Sequence, residues 1–336
     1  MRVSRITGGL LALALSQCNT QRASLPPEAR SAAPAVAVQT AAAPASAPAQ
    51  SGALAQVSPT EPLASAAKPL AAPELVVPES QIYRVPDIHP GERRPLLIFL
   101  HGLGASGKTA FDVLHLAELG ARERIFVLAP DGDLDHQKRR FWNAGPSCCN
   151  FDHAAVDDVA RLTALIDQWR ARPDVDPARV YLTGHSNGGF MTERLACSLG
   201  PRIAAAASLS GAAPDSASEC APSAPLALLE VHGDADAIVR YAGGSVFDSP
   251  ALAAHPAIEQ GFRDWAKRFG CTGEPKSAPD LDLDARLPGA ETRVEEYPSC
   301  ARGSVALWTV RGGSHYVGTG TQAFEAVWRF LSAHHR

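Results

Sequence analysis

A doubly wound α/β fold, a mostly parallel sheet with helices on both faces, is what this sequence predicts, and three observations predict it. Short apolar runs of strand character alternate with longer segments of helical periodicity from RPLLIFLHG (94–102) onward. The strand runs are apolar at nearly every position rather than at every second one, the mark of strands covered on both faces. The residues with chemical potential stand just past the C-terminal ends of these runs, where open α/β sheets bind ligands.

The elements follow in order. RPLLIFLHG is a buried strand closed by glycine, and TAFDVLHLAELGARE (109–123) carries apolar residues at helical spacing. RIFVLAPDG (124–132) is the second strand run. AAVDDVARLTALIDQWRAR (154–172) is an amphipathic helix with Val156, Val159, Leu162, Leu165, Ile166 and Trp169 along one side. Asp157 and Asp158 stand at its start, where acidic side chains favour the helix dipole. RVYLTG (179–184) is the third strand, and FMTERLACSLG (190–200) is the helix after it. IAAAASLSG (203–211) and PLALLEVHG (225–233) are further strands, and HPAIEQGFRDWAKRFG (255–270) is helical. SVALWTVRGG (304–313) is the last strand and TQAFEAVWRFLSAH (321–334) the last helix. One domain over residues 78–336 accommodates them all.

The N-terminal quarter reads differently. MRVSR carries two positive charges and GGLLALAL is a short apolar run, the n- and h-regions of a secretory signal over residues 1–18. LSQC then ends on Cys18, a candidate for acylation of the lipoprotein type, although Gln17 stands where such sites usually carry a smaller residue. Residues 19–77 are rich in Ala, Pro and Ser and lack a helical stripe, so they read as a disordered tether. These features predict export, to the periplasm, to a membrane through a lipidated N-terminus, or to the medium.

The formal net charge is −4, from 31 Lys and Arg against 35 Asp and Glu, and no basic stripe is present, which argues against a nucleic-acid partner. No protein partner is inferable. No apolar run reaches the roughly 18 residues of a membrane span. Beyond Cys18 stand Cys148, Cys149, Cys197, Cys220, Cys271 and Cys300. An even number in an exported chain favours disulfides, and six cysteines leave about 15 connectivities open. No zinc-finger spacing surrounds the adjacent pair, so no metal is expected.

Two glycine-rich loops offer competing chemistry. GLGASGKT (102–109) fits G-x-x-x-x-G-K-[ST], a phosphate-cradling loop between a strand and a helix, with Lys108 on the phosphates and Thr109 on magnesium. That reading leaves three other motifs idle and places nucleotide chemistry in an exported chain. TGHSNGG (183–189) holds Ser186 between Gly184 and Gly188, where a strand turns directly into a helix. A serine hydroxyl needs a base, and a histidine base needs a carboxylate to fix its tautomer. Asp234 and Asp236 stand after PLALLEVHG, and His315 after the last strand, so the order Ser, Asp, His is present. The backbone N–H groups of Asn187 and Leu103 would then form the oxyanion hole. His101, Trp142 and Tyr316 are candidate substrate contacts. His101, with His185 and His232, also reads as a packing or hydrogen-bonding residue, and Trp142 also reads as core.

The ordered set HGLGASG, PDG, WNAG with CC, the VDDV helix, GHSNGG, HGDADAIVRY, GC and GGSH resembles the secreted polyhydroxybutyrate depolymerase and feruloyl esterase group of the α/β-hydrolases over about residues 80–335. The resemblance implies Ser186 as nucleophile, His315 as base and Asp236, not Asp234, as the acid. It implies disulfides Cys271–Cys300 and Cys197–Cys220, with Cys148–Cys149 as a vicinal pair. Around the base the group tends to read GGHTWPG, whereas this chain reads GGSHYVG, with Tyr316 after the histidine. No polymer-binding module follows, which directs the expectation to small or oligomeric esters. The predicted activity is therefore cofactor-independent hydrolysis of feruloyl-, acetyl- or hydroxyalkanoate-type esters through an acyl-enzyme. A nucleotide binder using residues 102–109, a non-catalytic tethered binding protein, and a related serine hydrolase of peptides or lactones are the alternatives.

Overall fold

Along RPLLIFL the side chains leave the strand on alternate sides. Leu96, Ile98 and Leu100 enter one core cluster, and Leu97 and Phe99 enter another. Each face of the sheet is covered, so neither set of positions can be polar, which explains the unbroken apolar run. The computed structural model describes residues 74–214, 220, 224 and 226–336. The signal segment, Cys18 and the tether up to residue 73 lie outside the described residues.

The described elements are β1 (Ile82–Tyr83), β2 (Arg94–Leu100), α1 (Gly107–Val113), α2 (Leu116–Glu123), β3 (Phe126–Leu128), β4 (Asp133–Leu134), β5 (Arg140–Phe141), α3 (Asp158–Arg170), β6 (Val175–His185), α4 (Asn187–Ser198), β7 (Ala205–Leu209), β8 (Ala227–Gly233), α5 (Ile258–Arg268), β9 (Lys276–Leu281), β10 (Thr292–Glu296), β11 (Ser304–Val310) and α6 (Thr321–Ser332). Among the described residues the main sheet has nine strands in the order β1-β3-β2-β6-β7-β8-β11-β10-β9. The run β3-β2-β6-β7-β8-β11 is parallel throughout. Antiparallel strands finish both edges. This is the expected architecture, and its parallel centre brings the C-terminal ends of β2, β6, β8 and β11 to one side.

Several elements differ from the sequence reading, among them the short strands β1, β4 and β5, which it did not assign. The helix expected over 109–123 is two helices, because His115 adopts a left-handed conformation (φ 50°) and turns the chain between α1 and α2. Strands β9 and β10 fall in a stretch without strand signals. β9 carries mostly exposed or half-buried side chains and contains Pro279, as an edge strand can. At the N-terminal end, Leu75 is buried in the same core cluster as Leu96, so packing begins before Pro78.

Among the described residues three disulfides are present: Cys148–Cys149, Cys197–Cys220 and Cys271–Cys300. The last ties the segment after α5 to the segment before β11, the strand that leads to His315.

Candidate active site

Ser186 occupies the turn between β6 and α4 with φ 55° and ψ −119°. A side chain at either flanking glycine would collide with backbone. A Cβ on Gly184 would lie 2.4 Å from Gly188 O, and one on Gly188 only 2.0 Å from Leu100 O. The small residues around the serine are thus required by the closeness of the turn to β2. The Ser186 N–H donates to Leu209 O (2.8 Å), which holds the turn against β7.

The three side chains expected to act together meet. Ser186 Oγ lies 2.8 Å from His315 Nε2, and His315 Nδ1 lies 2.7 Å from Asp236 Oδ2. All three are buried, Ser186 at the limit with 9% of its surface exposed. The other oxygen of Asp236 accepts from the backbone N–H groups of Ile238 (2.7 Å) and Val239 (2.9 Å). Burial alone would raise the Asp236 pKa, but hydrogen bonds from His232 and His315 hold it well below the usual carboxylate range. Asp234 is exposed and accepts instead from Gly312 N–H at 2.6 Å.

The loop after β2 lies against the serine. A Cβ on Gly102 would stand 3.4 Å from both Ser186 Cβ and His185 O. Leu103 follows in that turn, and the loop is pinned by Gly104 N–H to Arg140 O (2.8 Å). Asn187 is the first residue of α4, where backbone N–H groups have no intrahelical acceptor. Its side chain does something the sequence did not disclose. It brackets the backbone of Trp142, accepting from Trp142 N–H (2.7 Å) and donating to Trp142 O (2.9 Å).

The candidate substrate contacts separate. Tyr316 is 58% exposed, and its ring stacks on His185 (5.8 Å, 20°) beside His315. Trp142 is fully buried and donates its indole N–H to His101 O (3.1 Å), so it supports the loop from beneath and offers no surface to a substrate. His101 is held by the backbone around it and also lines the cleft between α1 and Tyr316. It is 1% exposed, its Nε2 accepts from Gly132 N–H (2.9 Å) and its Nδ1 donates to Gly102 O (2.8 Å). Burial pushes its pKa down to about 4, consistent with a neutral ring. His185 is the packing or hydrogen-bonding residue that the sequence reading expected: its Nε2 donates to the backbone O of His315 (2.8 Å). Burial, then the neighbouring His315, lowers its pKa to about 4. Asp157 caps α3 by accepting from Ala160 N–H (2.9 Å). Asp158 does more than favour the helix dipole, since it accepts from Asn143 N–H (2.8 Å) and so secures the WNAG loop. A cleft of about 160 Å³ opens between α1 and Tyr316, lined by His101, Gly102, Ala105, Val113, His185 and Tyr316; Ser186 itself is not part of its lining.

The phosphate-loop alternative meets a physical obstacle. The N-terminus of α1 already faces an anion: Gly107 N–H donates to Asp131 Oδ1 (2.8 Å). Thr109 N–H is capped by Ser106 Oγ (3.1 Å), and Lys108 pairs with Asp112 one turn on. A phosphate here would meet the Asp131 carboxylate.

Residues 89–256 match the phospholipase/carboxylesterase family. The chain is 32% identical to feruloyl esterase B of Piromyces equi, over 70% of this chain and 42% of that protein. It is 27% identical to poly(3-hydroxyalkanoate) depolymerase C of Paucimonas lemoignei, over 35% of this chain and 28% of that protein. The chain thus spans less than half the length of these relatives. An acetyl xylan esterase from Aspergillus awamori superposes with a TM-score of 0.53 at 14% identity, covering 74% of this chain and 93% of that one, a likeness of fold alone.

Proposed function

The chain belongs to the phospholipase/carboxylesterase family, within the α/β-hydrolase fold, and from that premise we propose that it is an exported serine esterase acting on small or oligomeric carboxylic esters of the feruloyl, acetyl or hydroxyalkanoate type. The observation that carries the proposal is the unbroken pair of hydrogen bonds from Ser186 Oγ through His315 to Asp236, 2.8 and 2.7 Å long. In this reading His315 Nε2 takes the hydroxyl proton as Ser186 attacks the ester carbonyl. Asp236 holds the proton on Nδ1 and stabilises the imidazolium that forms. The N–H groups of Leu103 and Asn187 receive the developing oxyanion, and His315 returns its proton to the leaving alcohol. Water activated by His315 then releases the acid. Tyr316 and the adjoining cleft contact the substrate. No step calls on a metal or cofactor.

Residues 78–336 are the catalytic domain in this proposal, and residues 1–77 supply the signal, with Cys18 as the acylation site, and the tether. The relatives' names support the choice of ester classes, and the three disulfides support an oxidising destination. The test is Ser186→Ala against a panel of p-nitrophenyl, feruloyl, acetyl-xylan and hydroxybutyrate-oligomer esters. Turnover should fall by roughly 10⁴ to 10⁶ while circular dichroism is unchanged. Undiminished turnover by the purified variant would overturn the assignment.

A further inference from the structure

Behind Asp236 lies a buried set of titratable groups that hydrolysis as described leaves unused. Glu230 and His232 stand two apart on β8 and therefore leave the strand on the same side, toward α4 and α5. His232 is fully buried, with Nδ1 2.9 Å from Glu230 Oε1. Its Nε2 lies 2.8 Å from Val239 O and 3.4 Å from Asp236 Oδ2. Every one of these partners is an oxygen acceptor. A neutral imidazole has a single N–H, so one of its nitrogens would set a lone pair against an acceptor. The cation satisfies both sides.

Glu193, on α4, completes the set. It is 1% exposed, its Oε2 accepts the indole N–H of Trp265 on α5 (2.5 Å), and it lines the same small buried cavity as Glu230. Glu230 Oε2 is buried and has no donor if both glutamates are ionised. A proton on Glu193 gives it one.

We propose that His232 is a positioning residue for the hydrolysis: a doubly protonated imidazole clamped between Glu230 and Asp236, holding Asp236 charged and aimed at His315, while a protonated Glu193 donates to Glu230. This rests on the esterase reading above. Electrostatics agree with the geometry. Burial alone would lower the His232 pKa, but its bonds to Asp236 and Glu230 raise it to about 9. Burial, then the charge of Glu230, raises that of Glu193 well above the ordinary value. The other groups that face this set are Tyr241, whose ring centre lies 6.0 Å from that of His232 in an edge-on arrangement, then His255, His185 and His315, and Arg268 of α5 toward Glu193.

The test combines a spectrum with a pH profile. In protein labelled with ¹⁵N-histidine, His232 should show two protonated ring nitrogens at pH 7.5, a readout that does not depend on turnover. His232→Gln, which keeps a donor and removes the charge, should lower kcat by roughly ten- to a hundredfold with KM within about twofold. It should also move the acidic limb of kcat/KM upward by roughly one pH unit, because a cation beside the triad is lost. Glu230→Gln should move the same limb, and it is read if His232→Gln does not fold. Glu193→Gln offers the same donor as the protonated acid and should keep the wild-type melting temperature. A neutral His232 spectrum, or an unmoved acidic limb in a folded variant, overturns the inference. Fluorophosphonate labelling of Ser186 in the wild type separates this from failure of the esterase reading: an unlabelled, inactive wild type refutes that reading, and the His232 spectrum still decides the protonation.

Discussion

Replacing Asp236 with Asn removes one charge and almost no volume, and the geometry around it sets the consequence. Each carboxylate oxygen faces donors: Oδ1 accepts from Ile238 N–H (2.7 Å) and Val239 N–H (2.9 Å), and Oδ2 accepts from His315 Nδ1 (2.7 Å) and faces His232 Nε2 at 3.4 Å. An amide has one acceptor oxygen. With that oxygen on the two backbone N–H groups, the NH₂ points at both imidazoles, donates to His315 Nδ1 and drives the His315 proton onto Nε2. Nε2 then cannot take a proton from Ser186. With the amide flipped, the NH₂ meets two backbone donors instead. The first orientation leaves the fold intact and the base in the wrong tautomer, a defect that costs about 10⁴ in kcat, or about 5.4 kcal/mol at 1.36 kcal/mol per decade. Asp234→Asn alters only an exposed contact to Gly312 N–H and should change kcat by no more than a few-fold. Steady-state hydrolysis of a p-nitrophenyl ester by both variants measures the contrast. The reasoning fails if Asp236→Asn retains a tenth of wild-type kcat, or if Asp234→Asn is the more damaged enzyme.

Two further outcomes follow from the loop and the disulfides. Lys108→Ala should leave ester hydrolysis within a few-fold, since Lys108 pairs with Asp112 on the surface; calorimetry that found micromolar magnesium-ATP binding to the wild type and none to the variant would restore the nucleotide alternative. Cys271→Ser should remove about 2–4 kcal/mol of stability and lower the melting temperature by roughly 5–15 °C, because the Cys271–Cys300 bridge closes a loop with a sequence separation of 29; an unchanged melting temperature, or free thiols at both positions in periplasmic protein, would count against it.

What the sequence disclosed follows from where its signals are local. The strands of the parallel centre were legible because both faces are buried, and Gly102, Gly184, Gly233 and Gly313 mark the strand ends that carry Leu103, Ser186, Asp236 and His315. β9 was not legible because an exposed edge strand has no apolar pattern to show. The break between α1 and α2 was hidden because His115, not a glycine, takes the left-handed turn. The supports of the site were hidden for another reason: their partners are distant in the chain. Asn187 holds Trp142, His185 holds the backbone of His315, and Glu193 meets Trp265. Each is a polar residue beside or within an apolar element, and sequence alone offers no sign of which distant group satisfies it.

The false trail at GLGASGKT shows the limit of pattern in physical terms. A phosphate loop and an oxyanion loop have the same requirement: glycines that let a chain leave a strand, turn tightly and enter a helix with its N–H groups converging. The pattern therefore reports the turn and is silent about what the N–H groups face. Here two residues outside the motif bear on that question. Asp131, at the end of β3, supplies the anion to Gly107 N–H, and Ser186, at the end of β6, lies against Gly102. The first contact removes the site a phosphate would use, and the second brings the Gly102–Leu103 turn to the hydroxyl. A chain with the same eight residues but an apolar side chain at position 131 would leave that helix N-terminus open. The two readings are thus separated by a carboxylate more than twenty residues downstream, and not by anything within the loop.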